Sequence, residues 1–536
     1  MENGASNGAR NGLLPHSFMP APPQNNGAAG DVLANALQRR LEISTGRTVR
    51  RIETHISWVL LDGENAWKIK KPVQFGFLNF TSLELRHRAC EDELRLNRRL
   101  APTLYLDVVP IHGRPDAPCL GGGGEPIEYA LRMRQFASGA LLSERLASGR
   151  VNGALIDRLA ARLAAFHQAA VVAPAVTAHG GAPQTRAQTA QVLAGLGSQD
   201  ASGELGKLSA WCDAQGRDLA ATFDRRKRQG WVRECHGDLH LQNIVALGDD
   251  ITAFDCIEFD PNLRWIDVQC DIAFLTMDLA AHHRGDLAWR FLDRWLEVTG
   301  DYAGLAVLRY YEVYRALVRE LVIRLRRSEG LEAAGPDYVA VAQSFVEAHN
   351  ARLLVTHGLS GSGKSYVAQQ LLEVAGAIRL RSDVERKRLF GLSVLDVSAA
   401  RTPQGIYARG ASQRTYEALY AASAVVLDAG YPVIVDATFL RAHERDVFRN
   451  LARRKGVRFS ILHCHADDAT LHERVQARRL RADDPSEADL AVLERQRGFC
   501  EPLTQAERAD CIDIDTGGPI DVQTLARRWL HESEPD

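Results

Sequence analysis

The sequence lacks the long apolar runs that a membrane protein needs. No stretch approaches the roughly 20 apolar residues of a transmembrane helix, and residues 1–30 lack the continuous apolar core of a signal peptide. The nine cysteines are scattered, with no CxxC pair and no zinc-like cluster. These features argue against a membrane-spanning or disulfide-stapled secreted protein. They predict a cytoplasmic protein with reduced thiols and no structural metal.

A strong excess of charge is also missing. The net charge is −2, with 65 basic and 67 acidic residues, so no global field draws the chain toward nucleic acid or membrane. Hydrophobic residues make up 46% of the 536 residues, enough to fill the two or three cores that this length requires. Residues 1–30 are rich in Asn, Gly, Ala and Pro, and we expect them to be disordered.

The pattern of elements divides the remaining chain into three parts. Residues 31–136 predict a small, mostly β lobe, and helical periodicity dominates 137–346 apart from a short hairpin between 231 and 260. After residue 350, strands alternate with helices, which predicts a doubly wound parallel sheet over 351–536. The elements predicted for the small lobe cover 31–41, 55–61, 66–70, 82–100, 104–111 and 128–133.

The clearest motif is a glycine-rich loop that fits the phosphate-binding pattern G-x-x-x-x-G-K-[ST]. The apolar run 353–356 precedes it as a buried strand would, and apolar residues at helical spacing follow it. In such a loop backbone N–H groups surround phosphate oxygens, the lysine reaches the terminal phosphates and the final hydroxyl ligates Mg²⁺. The sequence therefore predicts a nucleoside triphosphate site. Its residues are Gly358, Leu359, Ser360, Gly361, Ser362, Gly363, Lys364 and Ser365.

A second group of polar residues lies in the hairpin of the helical part. In the kinase template one Asp accepts the proton of the substrate hydroxyl, and an Asn five positions later holds Mg²⁺. A second Asp, in the next strand, ligates the metal that bridges the phosphates. Asp238, Asn243 and Asp255 occupy these places, and a tight turn between the two strands can bring Asn243 and Asp255 together.

The same template requires a lysine on the third strand of the small lobe and a glutamate on the following helix. Lys68 and Lys70 share one face of the predicted strand, so either can reach a phosphate, with Lys68 slightly preferred. Glu93 is the candidate for the glutamate, and Glu91 is the second choice.

Four further polar residues accompany this group. Asp267 and Asp271 are one helical turn apart, and they either brace the catalytic loop or act as ordinary charges at a helix N-terminus. His167 and His240 are interpreted as structural histidines.

Over roughly 31–346 the chain resembles the aminoglycoside phosphotransferase family, small-molecule kinases with a protein-kinase-like fold, and the motif HGDLHLQN carries the resemblance. The resemblance implies that Asp238 is the catalytic base, that Asn243 and Asp255 are magnesium ligands, and that an adenine-binding hinge lies near Arg134. Gly237 stands where protein kinases place arginine, and the sequence has no A-P-E segment and no G-x-G-x-x-G loop. A small-molecule acceptor is therefore expected rather than a protein.

In the last third of the chain, two carboxylates follow predicted strands. Asp383 comes after 377–381 and Asp436 after 432–435, where ligands of doubly wound sheets bind. One is expected to accept a proton from the acceptor hydroxyl and the other to hold Mg²⁺, and the two roles are interchangeable at this level. Several arginines downstream predict a mobile lid over the triphosphate, with an exposed basic helix face as the alternative. They are Arg474, Arg478, Arg479 and Arg481.

Over about 350–530 this order of pieces resembles the small P-loop kinases grouped with gluconate kinases, zeta-type toxins, chloramphenicol phosphotransferase and polynucleotide 5′-kinases. The resemblance implies that Asp383 is the base and that Arg386 anchors the acceptor. The pairing of both parts resembles bacterial bifunctional proteins that join a phosphotransferase to an AAA-type ATP-binding domain. It predicts an ATP- and Mg²⁺-dependent phosphotransferase with two nucleotide sites and a small-molecule hydroxyl acceptor.

Two other functions stay open at this stage. The P-loop part could be a regulatory module that binds ATP and gates the first part, although Asp383 and the arginines argue against it. Alternatively, it could phosphorylate a hydroxyl of a nucleic acid or a nucleotide sugar. Arg386-Lys387-Arg388 and the lid arginines suggest the nucleic acid. The neutral overall charge and the lack of an aromatic stacking platform argue against nucleic acid.

Overall fold

The structure is a computed structural model that describes residues 27–75, 78–197, 203–328, 330, 335–396, 409–481 and 484–531. Residues 1–26, most of the segment for which disorder is predicted, lie outside the described part. The first helix begins at Gly27, so the predicted disorder is wrong for residues 27–30.

The first lobe is built on one antiparallel sheet. Its elements are α1 (Gly27–Thr45), β1 (Arg50–Glu53), β2 (Ser57–Leu61), β3 (Asn65–Lys70), β4 (Gln74–Phe75), β5 (Leu78–Asn79), α2 (Leu83–Asn97), β6 (Tyr105–Arg114), β7 (Ala117–Leu120) and β8 (Glu128–Arg134). The strand order is β1-β2-β3-β8-β6-β7. The Ser82 hydroxyl caps α2 by accepting a hydrogen bond from Leu85 N–H. This helix packs against β6 and β8 and buries Glu93.

The second lobe is mainly helical. Its elements are α3 (Leu142–Ala147), α4 (Gly153–Ala169), α5 (Ala182–Gly195), α6 (Glu204–Asp218), α7 (Ala220–Arg228), β9 (Val232–Glu234), β10 (Ile244–Leu247), β11 (Asp250–Ala253), α8 (Pro261–Arg264), β12 (Trp265–Asp267), α9 (Val268–Ala281), α10 (Gly285–Thr299), α11 (Leu305–Ser328) and α12 (Tyr338–Glu347). Strands β10 and β11 form the predicted hairpin, with Ile244 opposite Ala253.

The last part of the chain is the predicted α/β domain. Its elements are β13 (Arg352–His357), α13 (Lys364–Ala375), β14 (Ile378–Arg381), α14 (Ser382–Leu389), α15 (Arg409–Asp428), β15 (Val433–Asp436), α16 (Ala442–Lys455), β16 (Arg458–His465), α17 (Asp468–Arg481), α18 (Leu490–Phe499), α19 (Gln505–Arg508), β17 (Cys511–Asp515) and α20 (Val522–His531). All strand pairs are parallel, in the order β14-β15-β13-β16-β17. Strands β14 and β15 are buried along their whole length, as expected for a parallel sheet with both faces covered.

One continuous apolar core joins the helical lobe to one face of this parallel sheet. At the junction Trp289 of α10 meets Tyr431 edge to face, with ring centroids 6.0 Å apart. A Cβ at Gly376, which ends α13, would lie 2.9 Å from the Trp289 indole nitrogen, so only glycine lets the two helices approach this closely. The helical lobe and the parallel sheet are therefore packed as one unit.

Within the described residues, none of the helices combines the length and the apolar character needed to cross a bilayer.

Candidate functional site

The first candidate site lies between the two lobes and begins with Lys68. The residue is on β3, in the middle of the antiparallel sheet. Its Nζ lies 2.7 Å from Glu93 Oε1 and 2.6 Å from Asp255 Oδ1. Burial lowers the pKa of Lys68, but the carboxylates of Asp255 and Glu93 outweigh this and raise it well above its ordinary value. Lys68 therefore stays an ammonium that links α2 to the end of the β10–β11 hairpin.

Lys70 has a different environment, although it shares a strand face with Lys68. Its side chain is fully buried, and its Nζ donates to the second oxygen of Glu93 and to Glu258. Of the two lysines, Lys68 is the one that pairs with Asp255. Glu91, the second choice for the glutamate, is half exposed, and its carboxylate lies 3.5 Å from His87. The structure thus brings Lys68, Lys70 and Glu93 together and leaves Glu91 outside the group.

The catalytic-loop candidates Asp238 and Asn243 contact each other. Asn243 Nδ2 donates to Asp238 Oδ2 at 2.8 Å, and His240 Nε2 lies 3.3 Å from the same oxygen. The β10–β11 hairpin pairs Asn243 with the residue before Asp255, because Phe254 N–H donates to Asn243 C=O at 2.9 Å. Burial raises the pKa of Asp238, but nearby His240, His236 and Arg319 outweigh it and hold the pKa below its usual value. Asp238 is therefore a carboxylate at neutral pH.

Asp271 holds the backbone of this loop. Its two oxygens accept hydrogen bonds from His236 N–H at 3.0 Å and Gly237 N–H at 2.9 Å. Burial raises the pKa of Asp271, but the hydrogen bond from His167 and these neighbours lower it to about 2. Of the two interpretations, bracing describes Asp271. The helix N-terminus interpretation describes Asp267, which caps α9 by accepting a hydrogen bond from Gln269 N–H at 2.9 Å. Asp267 also pairs with Arg226, with distances of 2.6 and 2.8 Å.

Glycine at position 237 has a local cause. Its φ is 87°, and a Cβ there would lie 2.7 Å from the carbonyl oxygen of Leu263. An arginine cannot occupy this position without moving the backbone that precedes β12.

The second candidate site surrounds the loop between β13 and α13. Lys364 Nζ donates to Leu359 C=O at 2.7 Å, across the mouth of the loop. A Cβ at Gly358 would lie 2.3 Å from Cys464 C=O, so the loop can leave the sheet only with glycine there. Burial lowers the pKa of Lys364, and Arg478 lowers it further against the opposing effect of Asp436. Gln496 covers the loop by accepting from Ser360 N–H at 2.8 Å.

Asp436 ends β15 beside Arg381, which ends β14 in register with it. Asp436 is buried, and its Oδ2 has no hydrogen-bond partner among the described residues; Arg381 Nε is 3.7 Å away. Arg381 Nη2 also lies 3.3 Å from Asp484. Asp383 and Arg386, which were predicted separately as base and acceptor anchor, are paired with each other at 2.9 Å.

The predicted arginine lid is only partly described. Arg474 donates to Gly361 C=O at 3.4 Å and to Thr516, so it fastens α17 to the phosphate loop. Arg478 donates to Ala488 C=O at 3.0 Å. The side chains of Arg479 and Arg481 lie outside the described part.

Comparisons with known proteins agree with this division. The model of the phosphotransferase enzyme family matches residues 45–317, just over half of the chain, and an AAA domain model matches residues 353–503. The chain belongs to the phosphotransferase enzyme family. The predicted kinase-like bilobal fold followed by a P-loop α/β domain is thereby confirmed, and this member of the family is a kinase.

Two uncharacterized proteins, from Mycobacterium tuberculosis and Mycobacterium bovis, are 30% identical over 477 residues, which cover 87% of this chain and 92% of each relative. The solved structure of a choline/ethanolamine kinase family protein from Mesorhizobium loti covers 58% of this chain and 92% of its own, with 12% identity and a TM-score of 0.37. A gluconokinase from Sinorhizobium meliloti covers 34% of this chain and 91% of its own, with 21% identity and a TM-score of 0.24.

The sequence motifs did not identify three residues that contribute to these sites. Glu258 follows Asp255 by three positions, but its partner Lys70 lies 188 positions away. Arg381 directly precedes Ser382-Asp383, and that position at a strand end was the signal that could have identified it. Gln496 gave no signal, because a glutamine on an ordinary helix face has no special spacing.

Proposed function

We propose that this chain is an ATP- and Mg²⁺-dependent phosphotransferase with two nucleotide sites, each of which transfers the γ-phosphoryl group to a hydroxyl of a small molecule. The observation that carries the proposal is the convergence of Lys68, Glu93, Asp255, Asn243 and Asp238 in one cleft. Because ATP is supplied inside the cell, we place this activity in the cytoplasm.

In the first site Asp238 acts as the base. The acceptor hydroxyl gives its proton to the Asp238 carboxylate as its oxygen forms a bond to the γ-phosphorus. The bond from that phosphorus to the bridging oxygen breaks, and ADP leaves with the electron pair. Lys68 binds the phosphates, and Glu93 keeps its ammonium in place. Asn243 and the backbone grip of Asp271 hold Asp238 in position.

The donor atoms fit Mg²⁺ at both sites. Because the amide nitrogen of Asn243 points at Asp238, the amide oxygen of Asn243 points elsewhere. The side chain of Asp255 is 43% exposed toward the cleft. In the P-loop site the buried Asp436 oxygen is without a hydrogen-bond partner in the described structure, and Ser365 follows Lys364. Oxygen donors of this kind suit Mg²⁺, which when bound would neutralise charge on the transferring phosphate.

In the second site Lys364 and Arg478 would bind the triphosphate, together with the backbone of residues 358–363. We assign the role of base to Asp383 and metal binding to Asp436, because only Asp436 is buried beside Lys364. Arg386 both pairs with Asp383 and would anchor the acceptor. Release of that pair by an acceptor anion would free Asp383 to take the proton.

The charge near Asp238 favours an anionic acceptor at the first site. A cavity of about 130 Å³ borders the catalytic loop at Leu241, and Asp278 on its wall already accepts hydrogen bonds from Leu241 N–H at 3.0 Å and from Tyr338 O–H at 2.8 Å. Three basic side chains line the same cavity: His282, Arg319 and Arg326. Such a wall attracts a phosphate or carboxylate and repels a polycation.

Transfer of phosphate from labelled ATP to a panel of acceptors tests the proposal. The panel contains aminoglycosides, neutral sugars, sugar phosphates, nucleosides and oligonucleotides. We expect Asp238→Ala and Lys364→Ala each to abolish a different product, with the exposed residues Asp249→Ala and Lys207→Ala as matched controls. If Asp238→Ala and Lys364→Ala both match the wild type on every acceptor, neither site performs the chemistry. Phosphorylation of aminoglycosides alone would refute the anionic acceptor.

The alternative that the P-loop part only regulates the first site predicts one product, not two. In that case Lys364→Ala alters the rate of the product that depends on Asp238 and removes none. Binding of oligonucleotides that falls steeply with added salt would instead favour a nucleic-acid acceptor.

A further inference from the structure

The two sites are connected by α10, whose C-terminal turns contact residues of both. On the P-loop side, Glu297 Oε1 lies 3.3 Å from Arg381 Nη1. Arg381 in turn reaches Asp436 and Asp484, so one guanidinium joins the helical lobe to the proposed metal carboxylate. Four residues before Glu297, Asp293 binds Arg379 at 2.8 Å. Arg379 also donates to Ser365 C=O at 3.3 Å, at the end of the phosphate loop.

Helix α14, which carries Asp383, is fastened to the same helix end. Arg388 Nη2 donates to Glu297 C=O at 2.6 Å, where a cation is favoured by the helix dipole. Arg388 also pairs with Glu385, whose carboxylate accepts from Tyr302 O–H at 3.1 Å. Movement of β14 or α14 on nucleotide binding must therefore act on the last turn of α10.

On the other side, Trp295 of α10 reaches the catalytic loop of the first site. Its Nε1–H donates to His167 Nδ1 at 3.1 Å. Because an indole N–H can only donate, His167 Nδ1 must carry the lone pair, and Nε2 then donates to Asp271 Oδ2 at 3.1 Å. Asp271 holds His236 N–H and Gly237 N–H, the two residues before Asp238. All these side chains are buried, so their polar groups bond to one another and not to water.

We propose that α10 couples the two nucleotide sites: Glu297 positions Arg381 beside Asp436, Trp295 positions the catalytic loop through His167 and Asp271, and occupancy of either site changes the other. This inference rests on the proposed function, since it requires that each of the two sites is able to bind nucleotide. The switching element is Arg381, whose guanidinium lies near carboxylates of both parts of the chain. Glu297 belongs to the helical lobe, whereas Asp436 and Asp484 belong to the P-loop site.

A cation bound at Asp436 would compete with Arg381 for that carboxylate. Arg381 would then interact more strongly with Glu297, and this would change the forces on the last turn of α10. By thermodynamic linkage the effect on binding must be equal in the two directions, and couplings of this kind are typically about 5- to 150-fold in affinity.

Hydrogen exchange of the full chain, with and without a non-hydrolysable ATP analogue and Mg²⁺, tests the coupling. In a Lys68→Ala chain, where the first site is disabled, we expect analogue binding at the P-loop to change exchange of residues 235–243 by about fivefold or more. Adding Glu297→Gln or Trp295→Phe should abolish this distant change and leave the protection of residues 358–365 intact. Glu373→Gln, which removes another ion pair of α10, with Arg290, is the matched control and should keep the change.

The outcomes separate the two proposals. If residues 358–365 gain no protection, the P-loop does not bind nucleotide and the proposed function of that part fails. If they gain protection while residues 235–243 exchange as before, binding is intact and the coupling is refuted. A response that survives Trp295→Phe refutes the route through His167. The reciprocal measurement, exchange of residues 378–389 in a Lys364→Ala chain, must show a change as well, or the linkage is refuted.

Discussion

Lys68 and Lys70 are two residues apart on one strand face, yet their surroundings separate a chemical role from a structural one. Lys68 is 11% exposed and faces the cleft, whereas Lys70 is fully buried between two glutamates. Alternation along a strand placed both side chains correctly on one face. It could not distinguish them, because the distinction depends on Asp255 and Glu258, which lie on a different lobe.

Substitution of Lys68 by methionine should affect catalysis, whereas substitution of Lys70 should affect stability. Lys68→Met should lower the rate of transfer at the first site by about 100-fold or more, because it removes a phosphate contact. Its effect on stability should be small, because Glu93 keeps Lys70 as a partner and Asp255 is 43% exposed. Lys70→Met should lower the free energy of unfolding by about 3–5 kcal/mol, because it leaves Glu258 buried without its cation and leaves Glu93 with Lys68 alone. Single-turnover phosphate transfer and urea unfolding measure the two effects.

Lys71→Met serves as the control, since Lys71 pairs with the half-exposed Glu53 and should change stability by less than about 1 kcal/mol. Equal loss of stability in the Lys68 and Lys70 variants would contradict the separation of roles.

At the scale of elements, the sequence predicted most strands and helices near the sites, and it failed where contacts override the local pattern. Strand β1 was missed because Arg50-Arg51-Ile52-Glu53 has the composition of a surface loop and becomes a strand only by pairing with β2. Helix α5 was missed because its small and polar residues give a weak apolar stripe. The helical periodicity of residues 205–228 predicts a single helix, whereas the structure has two, α6 and α7, which meet at Leu219.

Helix α11 carries a buried carboxyl that makes stability depend on pH. Burial raises the pKa of Glu312 to about 7, against the opposing hydrogen bond from Thr276 Oγ1 at 2.7 Å. In the unfolded state Glu312 has the ordinary glutamate pKa of 4.5, so between these two pKa values the folded protein holds a proton that the unfolded chain has lost. The stability contribution is present below about pH 4.5 and is lost as the pH rises to about 7.

Glu312→Gln should remove this dependence, because glutamine keeps an oxygen that can accept from Thr276 and carries no charge. We expect the variant to be more stable than the wild type by about 1–3 kcal/mol at pH 8 and to differ little at pH 4.5. Thermal unfolding at the two pH values measures the difference. Glu320→Gln, on the same helix and partly exposed, is the control. A larger gain at pH 4.5 than at pH 8 would contradict the assignment.

At the scale of the whole molecule, the helical lobe and the P-loop domain share a core as well as ion pairs. Trp289 packs against the apolar clusters on both faces of the parallel sheet, and Arg290 next to it joins Asp157 of α4 to Glu373 of α13. The domain boundary predicted near residue 350 follows the change in element pattern. Because the two parts pack across this boundary, we expect them to unfold as one cooperative unit.

Trp289→Ala should loosen that unit. Truncation of a large aromatic side chain at a packed junction should cost about 3–5 kcal/mol, and calorimetry should resolve two unfolding transitions in place of one. Trp211→Ala is the matched control, because Trp211 stacks on Tyr310 within the helical lobe at 6.4 Å, away from the junction. The control should lower the melting temperature and keep a single transition. Two transitions in the wild type would refute the shared unit.

The sequence by itself determined the order of folds and identified the candidate residues of both sites, because the phosphate loop and the HGDLHLQN run depend on short spacings within single elements. Only the tertiary structure decided which lysine faces Asp255, that Asp271 and not Asp267 holds the catalytic loop, and that Arg381 is shared with Glu297. These pairings join residues 35 to 187 positions apart. Such contacts are set by how whole elements pack, and no local periodicity records them.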